Sequence, residues 1–112
     1  MKTIYLVYEI EKRYPQLIKH NIRAFSERDL AEKFKQNLEN KIRLIYSEYQ
    51  ENMIYYADKF LKSGNYIRPV YDMLTEIVKK LNIDDEILLL FHFNELIPPN
   101  YQIEEVEYEN NS

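Results

Sequence analysis

Residues 3–11 (TIYLVYEIE) alternate, with Ile4, Leu6, Tyr8 and Ile10 on one side and Tyr5, Val7, Glu9 and Glu11 on the other. A period of two in aromatic and β-branched residues predicts a strand. Lys12-Arg13-Tyr14-Pro15 is polar and ends in a residue with fixed φ and no N–H, which suits a hairpin loop. The return strand is expected at about 17–25, where Ile18, His20, Ile22 and Ala24 alternate with Leu17, Lys19, Asn21, Arg23 and Phe25. Residues 1–25 therefore predict a β-hairpin.

The period then changes. Ser26 begins S-x-x-D with Asp29, where a hydroxyl and carboxylates suit the positive end of a helix. Leu30, Phe34, Leu38, Ile42, Ile45, Tyr49, Met53, Tyr56 and Phe60 follow at steps of three or four, one drifting stripe of a long helix over 26–62. If unbroken it would be about 54 Å long, against a diameter of about 35 Å for a compact chain of this size. It is expected either to bend near Asn37 and Asn40, poor helix formers, or to send its second half out as an arm. Lys62-Ser63-Gly64-Asn65 supplies a stop with a glycine for the left-handed residue. A second helix is expected over 66–82, with Pro69 in its first turn and Ile67, Val70, Tyr71, Leu74, Ile77, Val78 and Leu81 on its stripe. Asn82 offers its stop, and the far half of the long helix its partner, making a helical hairpin.

Asp84-Asp85-Glu86 caps an apolar run, so 85–95 is expected to be a short helix. Pro98-Pro99 breaks the chain, and 101–109 reads as a terminal strand with a bulge, because Ile103 and Val106 have opposite parity. It should rejoin the hairpin sheet. The fold class expected is α+β: a small antiparallel sheet, a long helix and an inserted helical hairpin, in one domain over 1–112 without a linker.

Composition narrows the chemistry. The chain has no Cys, which removes disulfides, zinc knuckles and thiol catalysis, and one Gly, too few for a phosphate-binding loop or a nucleophile elbow. His92 and Glu95 stand three apart without further ligands, and Asp84-Asp85-Glu86 is accounted for as a cap. We therefore expect no metal, no cofactor and no enzymatic activity. The opening residues show no signal-peptide pattern and no apolar span of membrane length, which points to a cytoplasmic protein with no membrane partner.

Charge is uneven. Residues 1–80 carry +4 and residues 81–112 carry −8, with Glu104, Glu105, Glu107 and Glu109 within six positions. An acidic balance argues against direct nucleic-acid binding, while the glutamates offer an acidic surface to a basic partner. The chain also has 11 Tyr and no Trp, and Tyr is enriched at interfaces. Tyr46, Tyr55, Tyr56 and Tyr66 concentrate in the expected helical arm. The candidate partner-binding residues are these four tyrosines and the four glutamates.

The S-x-R-D-L-A-x-x-F helix (Ser26 to Phe34) after a hairpin, and the Y-x-I-E-E-V-E-Y strand (Tyr101 to Tyr108), resemble small uncharacterised phage and mobile-element proteins with a ββα…β layout. The resemblance spans about residues 3–40 and 100–109. Its matching residues, Tyr5, Phe25, Ala31, Phe34, Ile103 and Val106, are structural, so it implies a fold and a genomic setting. Together these features lead to the expectation of a non-catalytic protein-binding module, an inhibitor or regulator of a basic, nucleic-acid-handling host protein, such as an anti-CRISPR. The alternative is a homodimeric assembly protein using the long helix as its interface.

Overall fold

The computed structural model describes residues 2–13, 15–62, 67–90 and 100–108. It is α+β, with an N-terminal hairpin and a C-terminal strand in one antiparallel sheet. The chain gathers into two compact units, residues 1–40 with 99–112 and residues 41–98.

The first unit holds the sheet, ordered β2-β1-β3, formed by β1 (Lys2–Arg13), β2 (Gln16–Phe25) and β3 (Asn100–Tyr108). Pairing runs up to Arg13 opposite Gln16, so Lys12 and Arg13 belong to the strand and not to the loop. The β1–β3 register is unbroken from Lys2↔Tyr108 to Ile10↔Asn100. The bulge expected in β3 is therefore absent there: Ile103 and Val106 lie on opposite faces, across from Val7 and Ile4. The irregularity lies between β1 and β2, where the register passes from Val7↔Arg23 to Tyr8↔Asn21 and leaves Ile22 as the extra residue.

The face of Tyr5 and Val7 is the covered one. α1 (Arg28–Glu51) opens with Asp29 in its first turn, favourable at the positive helix end. It brings Phe34 onto Phe25, ring centroids 5.2 Å apart, while the Arg23 guanidinium lies over both rings and that of Arg28 over Tyr5. Val7, Ala31, Leu38 and Tyr101 are buried. Glu9 and Glu11, on the same β1 face, are buried as well.

The second unit is helical. The long helix expected over 26–62 is two helices, α1 and α2 (Met53–Phe60), separated at Asn52 and not at Asn37 or Asn40. Asn52 leaves helical geometry at φ −124° and ψ 34°, and its amide donates both to the Glu48 carbonyl (3.3 Å) and to Glu48 Oε1 (3.0 Å). A side chain competing for an i−4 carbonyl is the ordinary way that Asn disturbs a helix. α3 (Ile67–Lys80) places Val70, Met73, Leu74, Ile77 and Val78 in the core with Ile42, Ile45 and Tyr56. The stop proposed at Gly64 lies outside the described residues.

α3 ends as its sequence predicts. Asn82 takes φ 55°, its N–H donates to the Lys79 carbonyl (3.2 Å), and the Ile83 N–H to that of Val78 (2.9 Å), the double bond of a Schellman terminus. Asn82→Gly is expected to be neutral or stabilising by up to about 1 kcal/mol, and Asn82→Val to cost about 1–2 kcal/mol. Urea denaturation of both variants checks this; a Val variant as stable as the parent would contradict it.

Residues 85–95 were expected as one short helix. The described part is a 3₁₀ turn, Asp85–Leu90, with Ile87 and Leu88 buried. Asp84 caps it, Oδ1 accepting from the Glu86 N–H (3.0 Å). Residues 91–95, with His92 and Glu95, lie outside the described residues. No helix among the described residues is long and apolar enough to cross a membrane.

Candidate partner-binding surfaces

β3 begins from a plain alternation, and that alternation divides its acids. Residues opposite one another in an antiparallel pair share a face. Glu105 and Glu107 lie opposite Tyr5 and Thr3, and Glu104 opposite Leu6 on the other face. There Glu104 Oε2 accepts from Lys19 Nζ, which also stands 4.5 Å from the centre of the Tyr8 ring. Both members of this pair are nearly half exposed, so it contributes little stability, though it engages Glu104 within the sheet. Glu105 and Glu107 are exposed. Two residues apart on one strand face, their Cα positions are about 7 Å apart. Glu109 lies outside the described residues.

β3 is also an edge strand, since the sheet order places only β1 beside it among the described residues. β2 is the other edge, and its bulge at Ile22 interrupts it; β3 is paired regularly throughout.

The same covered face carries a row that the sequence did not single out. Glu9 is opposite His20 on β2 and Tyr101 on β3, and His20 Nε2 lies 2.8 Å from Glu11 Oε2 on the diagonal. Alternation put Glu9 and Glu11 on one side of β1, but nothing in their spacing shows that this side is buried.

The tyrosines belong to the second unit and divide differently. Tyr56, expected at the surface, is 1% exposed: its ring meets Tyr55 edge-on (5.0 Å) and stacks on Phe60 (6.4 Å). Its hydroxyl donates to Glu48 Oε1 (2.9 Å). Tyr46 is half-buried, and burial pushes its phenol well above the ordinary range. Tyr46 and Tyr49 line, with Ile45, Met73 and Leu74, an apolar hollow of about 10 Å³, no larger than one water. Tyr55 is half exposed, its hydroxyl 3.4 Å from Glu76 and 3.1 Å from the Lys59 ammonium. Lys59 in turn donates to Glu76 Oε1 (2.6 Å), and that bond, with Tyr55 adding to it, raises the Lys59 pKa. Tyr66 lies outside the described residues. The large apolar side chains exposed in this unit are Leu44, Met53, Ile54, Tyr55, Tyr71 and Leu89.

Glu48 is the polar centre of this unit. Its carboxylate accepts from Lys80 on α3, Tyr56 on α2 and Asn52 at the break between α1 and α2. The Lys80 bond is the largest cause of a pKa held below the usual carboxylate range, burial opposes it, and the Tyr56 and Asn52 bonds add to it. Among the described residues no three His, Cys, Asp or Glu side chains are grouped to hold a metal ion.

No family model, curated protein or solved structure matches the chain. The reading of function therefore rests on these two surfaces. The acidic one is positioned by backbone pairing to the central strand. The aromatic one lies on α2 and α3, with Tyr55 and Tyr71.

Proposed function

We propose that the chain is a non-catalytic protein-binding module that engages a basic surface of a nucleic-acid-handling protein, as an inhibitor or regulator; an anti-CRISPR is the concrete instance. The observation that supports this most is the exposed pair Glu105 and Glu107 on a regular edge strand, presented on one face with Cα positions about 7 Å apart. Charges spaced along a strand can compete with phosphates for a basic groove, and such recognition acts first on association rate and weakens with salt. Tyr55, half exposed and amphipathic, is suited to a desolvated contact.

The test is capture of partners from a host lysate at low salt and again at about 1 M salt, where the Debye length is about 3 Å. A basic nucleic-acid-handling protein retained at low salt and released at high salt is expected. The variant Glu105→Lys/Glu107→Lys should lose it, whereas Glu104→Gln, whose carboxylate is engaged by Lys19, should retain it. Equal capture by the charge-reversed variant would remove the acidic surface from the mechanism. The homodimer reading draws on Leu30 and Leu44 of α1, 45% and 54% exposed; a concentration-independent monomer mass would dismiss it.

A further inference from the structure

We infer that the outer edge of β3 receives an extended basic segment of the partner as a further strand of the sheet. This rests on the acidic-surface reading above and adds the binding mode and the partner's chemistry. An edge strand presents alternate N–H and C=O groups outward, ready to pair with another chain. Of the two edges, β2 is interrupted at Ile22, and a bulge breaks the spacing that an incoming strand must match. β3 keeps its register with β1 over all nine residues, Asn100 to Tyr108, so its outer groups are evenly set.

The side chains then choose the occupant. Glu105 and Glu107 repel a second copy of β3 laid against the first, because like charges directly opposite one another on paired strands are unfavourable. The same two carboxylates face the alternate side chains of an incoming strand, and a Lys or Arg at every second position would meet both. Backbone pairing supplies affinity that salt barely affects, and the glutamates supply a selection that salt weakens. The predicted partner segment is extended, with cationic residues at alternate positions.

The probe is a synthetic peptide as long as β3, alternating lysine and threonine, titrated onto the whole chain at low salt. Two further peptides carry N-methyl groups on the odd or on the even residues. Only one parity of an added strand points its N–H groups toward β3, so one methylated peptide is expected to lose about tenfold or more in affinity while the other stays within about twofold. The unmethylated peptide should lose at least about tenfold on Glu105→Lys/Glu107→Lys. If both methylated peptides bind alike and charge reversal still removes binding, strand addition is overturned and the acidic-surface reading survives. If the unmethylated peptide does not bind, strand addition is overturned too, and lysate capture decides the broader reading independently.

Discussion

Tyr56→Ala is expected to destabilise the helical unit by about 3–5 kcal/mol, the range for removing a large aromatic side chain from a core. Tyr56 is 1% exposed and joins the Tyr49, Tyr55 and Phe60 rings to the Glu48 carboxylate. Tyr56→Phe keeps the rings and removes only the hydroxyl, so it should cost about 1–2 kcal/mol. Glu48→Ala should cost about 2–3 kcal/mol, because the buried Tyr56 hydroxyl then loses its acceptor. Lys80 adds little to that cost, since its side chain is 57% exposed and can turn to water. Tyr56→Phe and Glu48→Ala act on one bond, so their double mutant should cost less than the sum of the singles. Urea titrations of the three single variants and the double mutant measure all of this. An additive double mutant would show that the two groups do not depend on one another.

Folding stability is expected to fall on both sides of neutrality, most steeply above about pH 10. Tyr56 and Tyr46 have phenols raised above their ordinary value of 10.0, both chiefly by burial and Tyr56 also by Glu48. The folded chain keeps these protons while the unfolded chain, with ordinary tyrosines, releases them. Their contribution is therefore complete well below pH 10 and is lost progressively as pH rises through and beyond it, the slope approaching at most about 1.4 kcal/mol per pH unit for each tyrosine. Glu48 works in the other direction. Its lowered pKa favours the folded state above the ordinary carboxylate value and loses that advantage as pH falls below about 4.5. Denaturation between about pH 9 and 11 should show the alkaline decline setting in, and Tyr46→Phe and Tyr56→Phe should each make it shallower. An unchanged slope in both variants would mean that neither phenol is held by the fold.

Much of the architecture was legible because its causes are local. Alternation from Thr3 to Glu11 marked β1, the change of period after Ser26 marked a helix, and Asp84 and Asn82 behave as a cap and a stop where their side chains predict. The candidate site was legible only in part. Parity along Tyr101–Tyr108 already separates Glu104 from Glu105 and Glu107, yet their adjacency in sequence suggested one acidic run; the sheet gives them opposite faces and engages Glu104 with Lys19. Tyr56 lies on the predicted helical stripe, and its place in that stripe foretold burial more truly than its chemical type foretold an interface.

The sequence by itself determined the kinds of element, most of their ends and the α+β class, because periodicity, capping and turn chemistry act over a few residues. Tertiary structure decided where the long helix breaks. Asn37, Asn40 and Asn52 are chemically alike, but only Asn52 stands four residues after a carboxylate held by Lys80 and Tyr56. It decided also that the Glu9 and Glu11 side of β1 is buried, and that Lys19 meets Glu104 across 85 residues of chain. Such outcomes depend on which distant groups the fold brings together, and local pattern carries no information about that distance.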